Sequence, residues 1–185
     1  MHGASRFVGR VWRWLIRAHE FYMDDWTANL PSEPTEAVRS VRRAVHQAIR
    51  KVGDDIDNMR FNTAIAALMT LTNELYSYLP IDSAGESPNH AVISEAQECL
   101  IKLMAPITPH LSEELWERLG KTQSVYRTPW PDFDEVAASE DTLVIPVQVN
   151  GKLRDRIVVP ADAPSDVLEE KAKVASKVVE ALEGK

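Results

Sequence analysis

The sequence is short of cysteine and of long apolar runs, and each shortage excludes a class of protein. Its 185 residues include one cysteine, Cys99, so neither an internal disulfide framework nor a multi-cysteine zinc site can form. No uninterrupted apolar stretch is long enough to span a bilayer, and no signal peptide precedes the first predicted helix. We therefore expect a cytoplasmic chain that has no membrane partner.

Positive charge is also scarce, with 21 Lys and Arg against 28 Asp and Glu, a net charge of −7. This total argues against a nucleic-acid partner, but a phosphate backbone meets a local patch and not the average. Acidic residues are concentrated in 61–141, where thirteen of them face four basic residues. Residues 1–60 carry ten basic and eight acidic residues, and 142–185 carry seven of each. Both ends of the chain therefore keep clustered positive charge.

Apolar residues recur every three or four positions in four stretches, which predicts four amphipathic helices. The first runs from residue 5 to about 29, and the second follows Thr35, a good N-cap. The third, with Asn62 as its predicted N-cap, runs to about Leu79, and the fourth runs from about Ala91 to Met104. The side chains predicted to face inward are Phe7, Val11, Leu15, Ala18, Tyr22, Trp26, Val38, Val41, Val45, Ile49, Val52, Ile65, Leu68, Met69, Thr72, Leu75 and Leu79.

A double-proline break follows the fourth helix and separates it from a short fifth one. Pro106 and Pro109 cannot donate backbone hydrogen bonds, and each disfavours the helical conformation in the residue before it. Thr108 is therefore the predicted N-cap, with Pro109 in the first helical position. The apolar side chains of this helix are Leu111, Leu115, Trp116 and Leu119, and Gly120 is the natural stop. We expect a rigid corner with a buried tryptophan against which other helices dock.

Two rows of basic residues lie on the first two predicted helices, at spacings of four, three and four residues. The first row is Arg6, Arg10, Arg13 and Arg17, and the second row is Arg39, Arg43, His46 and Arg50. Each row could be an ordinary solvated face. Like charges on neighbouring turns repel one another, however, and no acidic residue falls between positions 6 and 19 to relieve the first row. The repeated pattern therefore favours an anionic partner.

The last 44 residues change character and predict a hairpin followed by a helix. Two β-branched runs, 142–149 and 152–159, flank Asn150-Gly151, a strong hairpin signal. A helix then opens at Asp162 or Ser165, and its predicted inner face is Leu168, Ala172, Ala175, Val178 and Leu182. A regular two-residue turn would set Arg154 and Arg156 opposite Val147 and Ile145, so a bulge near the turn or a rearrangement of layers is required. On an alternating strand, Lys152, Arg154 and Arg156 would share one side, either binding an anion or discouraging edge-to-edge aggregation.

The predicted fold is mainly α: a helical bundle (1–121), an extended linker that packs on it (122–141), and an incomplete α+β domain of hairpin plus helix (142–185). Trp130, between Pro129 and Pro131, is expected to lie flat against the bundle. His110 lies three residues before Glu113, which suggests a metal or acid–base site. No other histidine shares a ligand spacing with it, so we expect both residues to be structural.

Several of these segments, taken in order, resemble a known family. The string Met104-Ala-Pro-Ile-Thr-Pro-His-Leu-Ser-Glu-Glu-Leu-Trp-Glu-Arg-Leu-Gly120 is similar to the anticodon-binding helical domain of the class I aminoacyl-tRNA synthetases for leucine, isoleucine and valine, as is Arg60-Phe-Asn-Thr63. The segment Ile145-Pro-Val-Gln-Val-Asn-Gly-Lys-Leu-Arg-Asp-Arg-Ile157 resembles the small C-terminal domain of bacterial-type leucyl-tRNA synthetases. The resemblance covers nearly the whole chain.

This resemblance implies a C-terminal piece of a leucyl-tRNA synthetase that binds tRNA-Leu and adjoins the catalytic core of that enzyme. The signatures His-Ile-Gly-His and Lys-Met-Ser-Lys-Ser do not occur in the sequence, so we expect no catalytic residue, cofactor or metal here; the parent enzyme would use ATP with Mg2+. The residues expected to contact tRNA are Arg6, Arg10, Arg13, Arg17, Arg39, Arg43, Arg50, Lys152, Arg154 and Arg156. The alternatives are a freestanding helical scaffold or protein-interaction module without RNA binding, and a metal-dependent hydrolase that uses His110 and Glu113.

Overall fold

Helix α4 (His90–Met104) is the centre around which the other helices pack in the computed structural model, which describes residues 2–81, 87–139, 142–149, 151–160 and 163–175. It begins at Asn89, whose side-chain oxygen accepts a hydrogen bond from the Val92 N–H at 3.1 Å. Thirteen of its fifteen residues are buried, because neighbouring elements cover it on all sides. Its buried polar side chains therefore need partners inside the protein.

Five further helices belong to the same compact unit, Met1–Ala138, which we term the helical unit. Helix α2 packs against α3, α4 and α6, and helix α1 packs against α3 and α4. All five valine and isoleucine side chains predicted to face inward from the second helix are buried, and Thr35 caps that helix through the Val38 N–H. The helices are α1 (His2–Ala18), α2 (Glu36–Asp57), α3 (Phe61–Tyr78), α5 (Pro109–Arg118) and α6 (Glu135–Ala138).

The first helix is shorter than the apolar pattern predicts, because α1 ends at Ala18 and not near residue 29. Two 3-10 turns, His19–Phe21 and Trp26–Asn29, replace its predicted second half. The segment between them is fixed to α4, since the Met23 N–H donates to Ser94 Oγ at 2.9 Å and the Tyr22 hydroxyl donates to Glu98 at 2.6 Å. Tertiary hydrogen bonds therefore override the helical period after Ala18.

Lys121 joins the same cluster from the far end of α5. Its ammonium group lies 2.5 Å from Asp24 and 3.0 Å from Glu98. Burial alone would lower the pKa of Lys121, but its bonds to Asp24, Tyr22 and Glu98 raise the pKa above its ordinary value. Burial and the hydrogen bond to Glu98 raise the pKa of Tyr22 as well. Lys121 therefore stays charged and Tyr22 stays protonated at neutral pH, and their bonds fasten residues 22–24 to the body of the bundle.

Four of the six side chains predicted to face inward from the third helix are buried, but Met69 is not. Met69 is 36% exposed, whereas Leu71 is 1% exposed, because α3 is contacted by α1, α2 and α4 and its covered face is correspondingly wide. Asn62 does not cap the helix; Arg60 occupies the N-cap position without a side-chain hydrogen bond. Thr63 is the local stabilising group, since its hydroxyl donates to the Arg60 carbonyl at 2.9 Å.

The proline corner forms as predicted except at its cap. Pro109 starts α5, Leu115 and Trp116 are buried, and Gly120 adopts a positive φ of 82°, a conformation that glycine favours. Thr108 precedes the helix but does not accept a capping bond. Its hydroxyl donates instead to the Met104 carbonyl of α4 at 3.3 Å, so the threonine ties the corner to the preceding helix.

The strap, which we define as residues 122–138, returns along the bundle after α5. Its start is held by Glu113, whose carboxylate accepts hydrogen bonds from the Ser124 hydroxyl and from the Val125 N–H. Its end is held by α2, where Gln47 donates to the Ala138 carbonyl at 3.2 Å. Trp130 lies against α2, with its indole nitrogen 3.5 Å from the position that a Cβ on Gly53 would take, yet 40% of the side chain stays exposed.

The second compact unit, Ser139–Lys185, is the hairpin unit. Strands β1 (Thr142–Val149) and β2 (Lys152–Pro160) pair antiparallel, and α7 (Ser165–Val174) contacts β2. Ile157 and Val159 are buried, and Leu168, Ala172 and Ala175 are half-buried. The predicted mainly helical class with an appended hairpin is confirmed. Four positions named in the sequence-based predictions lie outside the described residues: Asn150, Asp162, Val178 and Leu182.

Candidate nucleic-acid interface

The first arginine row lies along the edge of α1 that faces α3. Arg10 donates to Asn73 Oδ1 at 2.8 Å, and its guanidinium lies 4.9 Å from the centre of the Tyr76 ring. The Tyr76 hydroxyl in turn donates to the Arg10 carbonyl at 2.8 Å. One turn further along α1, the indole N–H of Trp14 donates to the Leu75 carbonyl at 3.0 Å. These bonds fix the orientation of the row relative to α3.

The other three members of the first row differ in their exposure to solvent. Arg6 and Arg13 are exposed, whereas Arg17 is half-buried. Arg17 forms an ion pair with Glu20 and stacks over the Phe21 ring at 5.1 Å. Glu20 lies just beyond the stretch without acidic residues and so relieves part of the repulsion within the row. Exposed pairs of this kind contribute little to stability, so a phosphate can compete with the carboxylate for the arginine.

The arginines of the second row are distributed along the exposed side of α2. Arg39 is committed to its own helix, since it donates to Glu36 at 2.7 Å and to the Pro34 carbonyl at 2.9 Å. Arg50 is exposed, and its guanidinium lies 5.3 Å from the centre of the Phe133 ring. Arg43 lines a groove of about 560 Å³ between α2 and α3, opposite Glu74. Arg43 and Arg50 are therefore the better placed members of this row for an external anion.

His46 does not belong to the second row, because it is 4% exposed and points into the bundle. Its Nε2 lies 3.1 Å from Glu95 Oε1, and its Nδ1 accepts a hydrogen bond from the Asp134 N–H at 3.2 Å. An Nδ1 that accepts a hydrogen bond carries no proton, so in the neutral ring the proton is on Nε2 and is donated to Glu95. The histidine therefore links α4 to the strap instead of facing solvent.

Arg42 completes this buried polar network. It holds Glu95 with two bonds, Nε to Oε2 at 2.8 Å and Nη2 to Oε1 at 3.1 Å, and its Nη2 also lies 3.5 Å from Asp134. Burial alone would raise the pKa of Glu95, but the hydrogen bonds from His46 and Arg42 outweigh it and lower the pKa. A carboxylate in the otherwise apolar run of α4 was the available sequence signal for this network, since a buried charge requires a partner.

Helix α3 lies between the two rows. The Arg10–Asn73 bond places the first row on one side of α3, and the groove that Arg43 shares with Glu74 places the second row on the other side. Glu74 is the one charged residue in the α3 sequence. The outer side chains of α3 between the rows are uncharged and exposed: Ala66, Thr70, Asn73 and Ser77. The resulting surface has two basic edges separated by a helix whose one charge is Glu74, and its use as one binding surface stays a prediction.

The basic residues of the hairpin do not share one side, because the predicted regular alternation is interrupted by a bulge. Lys152 pairs with Val149, and Arg156 pairs with Pro146. Val149 and Pro146 are three positions apart on a regular strand, so these two pairs lie on opposite faces. Arg154 is the extra residue of the bulge between Val147 and Gln148. All three basic side chains are exposed, and their contact with RNA stays a prediction.

The bulge also resolves the conflict between apolar and basic residues in the hairpin. It places Ile145 opposite Ile157 and Val147 opposite Asp155, where a regular turn would have set arginines. Ile145 and Val147 are half-buried and Ile157 is buried, whereas Pro146 and Arg156 are exposed. One extra residue therefore separates an apolar face from a polar one.

Glu113 has a structural role, and His110 lies beside it on the surface. Glu113 anchors the strap through Ser124 and Val125, and His110 is exposed at the start of α5. Both residues line an open cleft of about 820 Å³ beside Glu114 and Glu117. Within the described parts of the chain, no group of three or more His, Cys, Asp or Glu side chains is arranged to hold a metal ion. No described helix has the length and apolar character needed to cross a membrane.

Comparison with known proteins places this architecture in a defined class. The family model for the anticodon-binding domain of tRNA ligase matches residues 39–171, which is more than half of the chain. The chain belongs to this family of tRNA-ligase anticodon-binding domains.

Within this class, the chain is similar to the leucine–tRNA ligases along its whole length. It is 42% identical to that of Nitratidesulfovibrio vulgaris over 190 residues and 40% identical to that of Chlorobium chlorochromatii over 185 residues. It spans 22% and 21% of the length of these relatives. Among solved structures, it matches the LeuRS of Agrobacterium radiobacter in a ternary complex with tRNA and LeuAMS, with a TM-score of 0.79 and 28% identity over 97% of this chain and 22% of that one. The resemblance to leucyl-tRNA synthetases predicted from the sequence is confirmed.

Proposed function

We propose that this chain is a tRNA-binding portion of a leucine–tRNA ligase and that its two arginine rows contact the phosphate backbone of tRNA-Leu. The observation that carries the proposal is the surface on which exposed arginines flank helix α3, whose one charged residue is Glu74. Arg6, Arg13 and Arg50 are exposed on it. Contacts to phosphates position a nucleic acid without reading its sequence. Such a surface holds the tRNA, while selection among tRNAs depends on other contacts.

The chemistry of aminoacylation is assigned to a catalytic core outside this chain. The two nucleotide-binding signatures of class I synthetases are absent from the sequence. The chain is therefore expected to show no leucine-dependent ATP–pyrophosphate exchange. Exchange above background in a contaminant-free preparation would contradict this assignment. The catalytic core is also the proposed protein partner, in keeping with the small share of the relatives that the chain spans.

The salt dependence of tRNA binding tests the proposal. Substitution of Arg10, Arg13, Arg43 and Arg50 by Gln removes up to four phosphate contacts while keeping side chains of similar length. Each lost contact should reduce the slope of log K against log salt by roughly 0.7–0.9. We expect weaker binding to tRNA-Leu and to other tRNAs alike, and a slope flatter by about 2–4, measured by fluorescence anisotropy.

Arg118→Gln is the matched control for this experiment. Arg118 is an exposed arginine on α5 that pairs with Glu114 at 2.8 Å and belongs to neither row. The control should leave the salt slope of the parent unchanged. If the quadruple variant keeps the parental slope, the rows are ordinary solvated faces. That result would favour the alternative of a helical scaffold without RNA binding.

A further inference from the structure

A shallow pocket of about 190 Å³ opens between the end of α4 and the strap. Two aromatic residues, Tyr126 and Trp130, line it together with Pro106 and Pro129. Tyr126 is 56% exposed and Trp130 is 40% exposed, although large aromatic side chains are usually well covered. The volume suits one planar ring system and is well below the roughly 300–1,000 Å³ of pockets for drug-sized molecules.

The walls of this pocket are held in place without a ligand. The Tyr126 hydroxyl donates to the Ala105 carbonyl at 2.5 Å, which ties the ring to the end of α4. The Thr128 hydroxyl donates to the Val125 carbonyl at 2.6 Å and so fixes the turn between the two rings. Trp130 rests on α2 beside Gly53. Because both side chains are already held in place, a planar ligand that stacks on them binds with little loss of side-chain entropy.

Lys102 adds a positive charge to the same pocket. Its side chain is half-buried and lines the pocket, and its ammonium group lies 5.4 Å from the centre of the Trp116 ring. Among the described residues, no carboxylate forms an ion pair with Lys102. Aromatic walls beside an uncompensated ammonium group suit a ligand that combines a flat ring with a negative charge.

We infer that this pocket binds one unpaired nucleobase, which stacks on Trp130 and Tyr126, while Lys102 contacts the adjoining phosphate. The inference rests on the proposed function and extends it from phosphate contacts to a base contact. Every nucleobase has a face that stacks on aromatic side chains, so the contact tolerates different sequences. Proline-rich peptides also dock on aromatic grooves, but they carry no charge that would occupy Lys102.

The position of the pocket relative to the second row supports this assignment. Gly53, on which Trp130 rests, follows Arg50 by three residues and therefore lies one turn further along α2. Arg50 itself stacks on Phe133, three residues after Trp130 in the strap. A strand whose phosphates follow the arginines of α2 would reach the pocket at the end of that row. All of these residues belong to the helical unit.

Abasic strands separate stacking from charge in the test. The 185-residue chain is titrated with a labelled single-stranded oligonucleotide of about ten nucleotides and with an abasic strand of the same length and charge. The parent chain should bind the strand with bases more tightly. Trp130→Ala should reduce this preference by roughly tenfold, the loss expected for one stacked base. Tyr126→Phe, which keeps the ring, should retain most of the preference.

Phe61→Ala is the matched control, because Phe61 is also 40% exposed but does not line the pocket. Lys102→Gln should weaken both strands and flatten the salt slope by about one contact. Thermal unfolding of each variant identifies any loss of binding that results from unfolding, and Lys102→Gln keeps the test valid if Trp130→Ala does not fold. Quenching of tryptophan fluorescence by bases, lost in Trp130→Phe, gives a second readout.

Each outcome distinguishes the pocket from the arginine rows. If Trp130→Ala and Lys102→Gln bind both strands like the parent, the pocket assignment is wrong, whereas the arginine rows are still supported by their own salt slope. If a proline-rich peptide binds at Trp130 and the oligonucleotide does not displace it, the pocket recognises peptides and the inference fails. If the parent chain binds no RNA at any salt concentration, both the inference and the proposed function fail.

Discussion

Basic side chains in the helical unit are largely held by other residues of the same chain, whereas, within the part of the chain that the structure describes, those of strand β2 are not. Arg10 bonds to Asn73 and Arg42 bonds to Glu95. In the hairpin, Lys152, Arg154 and Arg156 are exposed, and none of these side chains bonds to another described residue. A charge that is fixed beforehand loses little entropy when a ligand arrives, but it must exchange an existing partner. A charge without a partner loses more side-chain entropy when a ligand arrives, but it has no existing partner to exchange.

Under the proposed function, this contrast gives the basic residues of the two units different roles in tRNA binding. Fixed arginines define where a phosphate can lie, and they tolerate little displacement of the backbone. Free basic side chains adapt to a phosphate or a base edge whose position varies. The contrast can be tested by the free energy of unfolding of the helical unit and by the affinity of the hairpin residues for tRNA.

The most severe loss is expected for Glu95→Ala in the helical unit. The substitution leaves Arg42 and His46 buried without their acceptor, and breaking a buried pair in this way typically costs about 3–5 kcal/mol. Urea unfolding followed by tryptophan fluorescence measures the loss, and all five tryptophans lie in the helical unit. Glu114→Ala, which removes an exposed pair with Arg118, should change stability by less than about 0.5 kcal/mol. Equal effects of the two substitutions would contradict the contrast.

Acid should weaken a second internal charge cluster of the helical unit, with a smaller effect. Asp55 is buried and bonds to Lys51 and to Arg60 at 2.7 and 2.9 Å. The hydrogen bond from Lys51, together with that from Arg60, outweighs burial and lowers the pKa of Asp55 to about 2. Both basic partners are half-exposed, so the loss should be smaller than for Glu95.

The direction of this pH effect follows from the lowered pKa. A carboxylate with a lower pKa in the folded than in the unfolded state, where it is about 3.9, stabilises the fold above that unfolded value. The contribution is lost as the pH falls from about 4 through about 2. Asp55→Asn should therefore be less stable than the parent at neutral pH, and the difference should shrink as the pH approaches 2. A difference that does not change with pH would mean that Asp55 acts through packing alone.

On the hairpin side, Arg154→Ala should reduce affinity for tRNA-Leu more than Lys152→Ala, by roughly 1 kcal/mol. Arginine can form two parallel bonds to a phosphate or a base edge, whereas lysine supplies a point charge. Because Arg154 has no internal partner among the described residues, its substitution should leave hairpin stability nearly unchanged. Both variants binding like the parent, with the hairpin still folded, would make these residues a polar outer face only.

The smallest expected effects come from one glycine in each unit. Gly53 lies inside α2, where an added Cβ would be 3.5 Å from the Trp130 indole nitrogen, an ordinary contact distance. Gly53→Ala should therefore stabilise the helical unit by about 0.5–1 kcal/mol. Gly151 has a φ of 75° at the hairpin turn, so Gly151→Ala should destabilise the hairpin by about 1 kcal/mol. Urea unfolding measures the first effect, and amide hydrogen exchange in β2 measures the second.

Local patterns were sufficient to predict most of the helices and the hairpin. The valines of α2 recur at helical spacing, Thr35 has the chemistry of an N-cap, and Gly151 marks the hairpin turn. Each of these features depends on residues that are close in sequence. The mainly helical class was therefore accessible without any knowledge of long-range contacts.

The differences from prediction come from long-range contacts. Helix α1 ends early because Tyr22 and Met23 bond to α4, and no pattern within residues 19–29 reveals that competition. His46 fits the spacing of the second row, but it is buried because Glu95 is 49 residues away in sequence and 3.1 Å away in space. The sequence shows where basic residues recur, whereas only the packed structure shows which of them already have partners.

The bulge at Arg154 has a consequence for insertions and deletions in the hairpin. One extra residue reverses the face on which every later side chain of β2 lies, because side chains alternate along a strand. Removal of Arg154 would leave the pairings on both sides intact and produce a regular ladder. Removal of one residue further along β2, such as Arg156, would instead shift Ile157 and Val159 out of their apolar face unless the bulge itself moved. The hairpin should therefore tolerate a change of length at one position and resist it at the neighbouring ones.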